Sequence, residues 1–322
     1  MSFVGVTISS LLLASGGLAE GARGVGAPER TTADAMVRRV EREIPGAVRV
    51  ASERFVLVAD PHYGARERTL AILERTADAV ETFADRMIDE PRPQRERVLA
   101  VAFTDSTSFE HFARDVDRLD ASWMSGYWAP GADRVVFRAA RTDGDSPERH
   151  HGTFAAVADP DATIAHEAAH ALLHRLGVQR RAPRTPLWIS EGLAVAFEPC
   201  GHGADAAFAP QPEREARVRR GPTFALRDLV VATSVPPGDA SAVEAFYDES
   251  WSLARWLVTE RPTEFRTYLG LLREAARENA RSKRPTALAT FERAFGPVDA
   301  VEAAWRGSLS AAGEAATSDR AP

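Results

Sequence analysis

Cysteine and lysine are almost absent from this chain: Cys200 and Lys283 are the single examples of each in 322 residues. One cysteine rules out an internal disulfide. Cys200 also lies too far along the chain for a lipoprotein anchor and has no base beside it in sequence, so a small buried residue is the expected role. Arginine stands in for the missing lysine, a bias that bears on the coding genome and not on mechanism. Long hydrophobic runs are missing too, since nothing after Phe3–Ala14 approaches the ~18 apolar residues of a membrane span. Nor is there an excess of positive charge. The net charge is −6 with both signs interspersed, which gives no nucleic-acid surface beyond a local basic patch of Arg175, Arg180, Arg181 and Arg184.

What is present suits a catalytic domain. A hydrophobic content of 44% is ample for a core, and 322 residues make one large or two small domains. Phe3–Ala14, followed by Gly17-Leu18-Ala19 before Glu20, has the make-up of an export signal, although no basic residue precedes it. The expected organisation is a signal peptide over 1–19, a Gly/Ala/Arg linker over 20–32 and a disordered tail over 311–322, in a secreted or periplasmic, cell-envelope protein. Strands are expected at Phe55–Ala59, Arg97–Asp105 and Asp133–Arg138, with helices at Ala65–Asp89 and Ser106–Ala113. Residues 33–177 then form an α/β half and 178–310 a mostly helical half. The polar loop Arg141–Ala158 carries His150 and His151, adjacent residues that point apart and are expected in solvent. No internal repeat is visible, and nothing fixes the oligomeric state.

The chemistry is concentrated in His166-Glu167-Ala168-Ala169-His170. On a helix, residues i and i+4 share a face about 6 Å apart along the axis, so both imidazoles reach one ion and Glu167 stands beside them as a general base. The helix has its own punctuation, with Asp159-Pro160 as cap and first residue and Gly177 as stop. Between Thr163 and Leu173 no charged residue occurs outside the motif, as expected of a buried helix with one open polar stripe.

Catalytic zinc sites use about three protein ligands and keep a further position open. Sixteen residues after His170 begins Pro186-Leu-Trp-Ile-Ser-Glu191-Gly-Leu-Ala-Val-Ala-Phe-Glu198, a second apolar helix with an acid near its start. The W-x-x-E-G pattern after H-E-x-x-H resembles the gluzincin metallopeptidases, in which a glutamate on a second helix completes the metal site. The resemblance implies Glu191 as third ligand. His174 competes, but it lies about 12 Å from His166 along the axis, and no glycine follows His170 to turn the chain back. Glu198, seven residues after Glu191, either accepts the second ring N–H of a ligand histidine or is a solvated helix-end acid.

In order and spacing, residues 50–310 resemble a peptidase-MA-like domain of secreted bacterial proteins, a gluzincin branch. That resemblance implies an α+β, zincin-like fold, with a small mixed sheet beside the H-E-x-x-H helix and a mostly helical second half. It implies a zinc metallopeptidase with one Zn²⁺, acting on a peptide or protein that pairs with an edge strand, here expected at Asp133–Arg138. In aminopeptidase-type gluzincins a tyrosine downstream of the third ligand holds the oxyanion, which makes Tyr247, fifty-six positions after Glu191, the corresponding candidate. Alternatively Tyr247 packs with Phe246, Ala254 and Leu257 on a helix opened by the capping box Ser241–Glu244. The G-x-M-E-N motif of the aminopeptidase branch is missing, which favours endopeptidase action. Two other readings stand beside the peptidase: a non-catalytic zincin-fold binding or scaffold protein of the cell envelope, and a zinc amidase on a non-peptide substrate.

Overall fold

The computed structural model describes residues 33–90, 96–122, 124–138, 159–180, 185–203, 207–220, 224–235, 240–277 and 285–318. The expected signal peptide and linker, His150, His151, Arg181 and Arg184 lie outside these residues. The fold is α+β, with a five-stranded mixed sheet in the first half and a mostly helical second half.

Helix α1 (Ala33–Glu43) precedes strands β1 (Val48–Ala51) and β2 (Phe55–Ala59), and α2 (Arg66–Met87) leads to β3 (Val98–Phe103). After α3 (Ser106–Phe112) and a π-turn over Ala113–Asp117 come β4 (Gly126–Ala129) and β5 (Arg134–Arg138). Every residue of β3 is buried, which requires cover on both faces of the sheet. Val58, Leu99, Val101, Phe103, Tyr127 and Val136 pack on one side with Phe109 and Phe112 of α3 and Val37 and Val40 of α1. Leu57, Ala100, Ala102, Trp128, Val135 and Phe137 face the other way, onto α2 and the helical half. Burying a side chain of this size stabilises the fold by about 1.5–3 kcal/mol.

The strand order is β1-β2-β3-β5-β4, parallel at β2/β3 and β3/β5 and antiparallel at both ends. This corrects the expected edge: the strand at Asp133–Arg138 is internal, and β4 lies outside it. The chain doubles back because Asp133 adopts φ +50° and the Ala132 N–H donates to the Ala129 carbonyl at 3.1 Å, closing a hairpin. Four residues opened by a glycine are too short a run to read as a strand in sequence.

Helix α4 (Pro160–Arg175) lies across β4 and β5 and against α2. The Asp159 carboxylate accepts from the N–H groups of Asp161 and Ala162, and Gly177 ends the helix region at φ +84°. At its far end Arg175 donates to the carbonyls of Glu96 and Arg97 and pairs with Asp133 at 3.0 Å. The far end of α4 is thus tied to the sheet, and Asp161 in its first turn pairs with Arg68 of α2.

The second half comprises α5 (Leu187–Phe197) with a 3-10 turn over Glu198–Gly201, α6 (Pro212–Arg219), α7 (Leu226–Val231), α8 (Ala240–Glu260), α9 (Pro262–Arg277), α10 (Ala287–Phe295) and α11 (Val298–Ser318). Helix α8 begins at Ala240, so Ser241 sits in its first turn and not at the expected cap. Helix α11 runs on past Ala311, the start of the expected tail, where alanines favour the helix. Cys200 is fully buried, as expected. Among the described residues no helix is long and apolar enough to cross a membrane.

Candidate metal centre

Helix α5 is buried at all eleven positions, so its one acid, Glu191, is carried into the interior. The glycine after it explains how. A methyl group at Gly192 would stand 2.3 Å from the Ser250 carbonyl oxygen and 2.7 Å from its carbon, so only glycine lets α5 approach the α8 backbone this closely. Gly192→Ala is expected to cost about 1–3 kcal/mol and to weaken metal binding, because the helices must part and carry Glu191 away from α8. A melting curve checks this against Gly270→Ala, whose added methyl meets nothing within 4 Å and whose helix should be no less stable.

Between Asp161 and Leu173, His166 and Glu167 are the two residues that are partly exposed, so the polar stripe of α4 opens at the motif. His166 Nε2 and His170 Nε2 stand 3.2 Å apart, and Glu191 Oε2 lies 3.5 Å from the first and 3.4 Å from the second. Ligand atoms of a four-coordinate ion bonded at about 2.0–2.1 Å stand roughly 3.3 Å apart. Three lone-pair donors converging on one buried point therefore have the dimensions of a metal site, and the cluster His166, His170, Glu191 could hold an ion.

Charge points the same way. Glu167, Glu191 and Glu198 surround the two imidazoles, while one guanidinium, that of Arg214, reaches Glu198 at 2.8 Å. With neutral imidazoles two negative charges are left over, the number a divalent cation supplies. Burial works against a charge on His166, but Glu191, Glu198 and Glu167 outweigh it and hold its pKa up at about 10. Burial likewise opposes the charge on Glu191, yet His170 and His166 bring its carboxyl down to about 2. The Glu167 carboxyl is raised, by burial first and then by Glu191, against the pull of both imidazoles and of the Trp128 backbone N–H.

That last contact places Glu167 against the edge of the sheet. The Arg138 N–H donates to the Ser125 carbonyl, and Tyr127 pairs with Val136, so the alternation of an antiparallel ladder turns the backbone polar groups of Gly126 and Trp128 outward. A methyl at Gly126 would stand 2.8 Å from Thr163 Cγ2 and 3.2 Å from Glu167 Cγ, so glycine here also sets the approach of β4 to α4.

The profile of a family described as "Protein of unknown function (DUF1570)" matches residues 161–210. No curated protein matches the chain. The matched segment holds α4 from Asp161 on, α5 and the 3-10 turn, and with them His166, Glu167, His170, Glu191 and Glu198. It ends before α6 and α8, which complete the site.

The structure brings His166, His170 and Glu191 together, with Glu167 beside them, and places Tyr247 of α8 against them. The Tyr247 hydroxyl donates to Glu191, its ring centroid lies 6.4 Å from that of His166, and burial, then Glu191 and Glu167, raise its pKa well above the usual phenol value. Glu198 does take the ring N–H: its Oε1 lies 3.0 Å from His166 Nδ1. That bond fixes the tautomer that aims the Nε2 lone pair at the cluster. His174 stays outside, its ring 5.1 Å from that of Trp128.

Two residues escape the sequence reading. Arg214 of α6 donates to Glu198 and, also at 2.8 Å, to Asp248 of α8, which Arg217 also holds. Arg214 stands in Pro-Glu-Arg-Glu-Ala-Arg-Val-Arg, a stretch that reads as a solvated helix. The available signal was Asp248, an acid within the buried run Phe246–Ala254 of α8 and so in need of a buried partner.

Proposed function

We propose that this chain is a zinc metallopeptidase of gluzincin type that cleaves internal peptide bonds, acting outside the cytoplasm. The observation that carries the reading is Glu167: a partly exposed carboxylate of raised pKa, one residue along the helix from a candidate ligand histidine and beside a three-residue cluster that could hold an ion. His166, His170 and Glu191 would hold the zinc, which acts as a Lewis acid and makes water at the site more acidic. Glu167 takes a proton from the attacking water and passes it to the leaving amine, a duty suited to a carboxyl whose pKa burial raises. An extended peptide pairs with the outward edge of β4, which brings its scissile carbonyl to Glu167. Tyr247, released from Glu191, donates its hydroxyl to the oxygen on which charge develops.

The test is metal content by mass spectrometry together with cleavage of a broad peptide library. About one zinc per chain and chelator-sensitive cuts at internal bonds are expected. Zinc without cleavage would hand the site to a binding protein or to an amidase on another substrate, and absence of zinc would end the reading. Tyr247→Phe removes one hydroxyl and should lower kcat about 10²-fold or more, with KM little changed. Unchanged steady-state kinetics would return Tyr247 to packing alone.

A further inference from the structure

Glu198 has two oxygens and two partners. Oε1 accepts from His166 and Oε2 from Arg214, at 3.0 and 2.8 Å, in a side chain 12% exposed. Arg214 is more buried still, at 6%, and its other two nitrogens donate to the Gln211 side chain at 2.7 Å and to Asp248 at 2.8 Å. Gln211 in turn donates to the Val195 carbonyl near the end of α5, and Asp248 directly follows Tyr247 on α8. One guanidinium therefore touches the acid that orients a ligand histidine and the turn that carries Tyr247, and reaches the helix that carries Glu191 through Gln211.

We propose that Arg214 is a positioning residue of the metal centre: it fixes Glu198 on His166 and, through Asp248, the turn bearing Tyr247. The proposal rests on the site being a metal centre, as argued above. Without Arg214, Glu198 would be a buried carboxylate with one partner, free to rotate away from His166, and the imidazole would lose the contact that aims Nε2 at the cluster. Lysine is a poor substitute, because an ammonium does not reproduce the planar fork that serves two carboxylates and an amide at once. A plain clamp between α6 and α8 is the competing role, and Arg217 separates the two. It leaves the same helix for the same Asp248, is 25% exposed, and pairs with Asp248 and Glu244 instead of Glu198.

The experiment uses the full chain and measures zinc affinity by chelator competition, the visible spectrum of the cobalt(II)-substituted protein, and melting. Arg214→Met should weaken zinc about 10- to 100-fold and alter the cobalt spectrum. Glu198→Gln should do the same, and the double variant should lose no more than Glu198→Gln alone, since one residue acts through the other. Arg217→Met should melt earlier yet keep zinc affinity within about threefold, as expected for a clamp alone. Should Arg214→Met fail to fold, Arg214→Lys keeps the charge and should still lose zinc affinity against a normal Arg217→Met. Losses that add in the double variant, or Arg214 variants that keep wild-type zinc affinity and cobalt spectrum, overturn the proposal. Wild-type protein that takes up no zinc would instead refute the metal-centre reading beneath it.

Discussion

Glu167→Gln is expected to keep zinc near one equivalent and to melt close to the wild type, while peptide hydrolysis falls by at least about 10²–10⁴-fold. The substitution keeps shape and the ability to accept the Trp128 N–H, and Glu167 is not among the three atoms that converge on the ion. What it removes is a group able to take a proton and return it. Loss of the carboxylate removes one negative charge near the cation, but no ligand atom, so metal affinity should fall only modestly. Initial rates on a cleaved library peptide, measured beside zinc content of the same preparation, give the answer. Wild-type activity in Glu167→Gln would eliminate the proposed chemistry.

The other large effect concerns the ion. Glu191→Ala should leave near-zero zinc after dialysis, because two imidazoles on one helix cannot close the site without the third ligand from α5. His174→Ala, by contrast, should keep the wild-type amount, since that ring rests on Trp128 away from the cluster. The melting temperature gives an independent readout. Zinc at 1,000 times Kd stabilises a protein by about 4 kcal/mol, so adding it should raise the wild-type melting point and leave that of Glu191→Ala unmoved. Full zinc retention in Glu191→Ala would show that another group completes the site.

Several of these residues could be named without coordinates because the information is local. His166, Glu167 and His170 lie within five residues, and helical periodicity alone puts the two imidazoles on one face. The caps of α4, the buried runs of β2 and β3 and the helical second half follow from the same short-range rules. Glu191 was within reach through the W-x-x-E-G pattern, whose resemblance to the gluzincins implies a third ligand there, and its burial in an apolar helix agrees with a need for partners. His174 was set aside on helix geometry, and its place beside Trp128 agrees.

Contacts between distant segments had no such signature. That β4 and not β5 forms the edge depends on a hairpin closed by the positive φ of Asp133, a conformation that one sequence leaves open. The tight seats of Gly126 and Gly192 appear only when a second element is laid against them, for a glycine in isolation reads as a weak point in a strand or helix. Arg214 and Asp248 stand 34 positions apart, and although Asp248 calls for a buried partner, Arg214 looks ordinary beside its own neighbours. The sequence by itself determined the helix bearing two imidazoles and a base, since residues a turn apart are held by a geometry common to all helices. Tertiary structure alone decided which acid faces which imidazole, which strand edge meets Glu167 and which arginine is buried between them. Those pairings arise from the packing of whole elements, where a single methyl group at Gly192 would decide whether two helices meet.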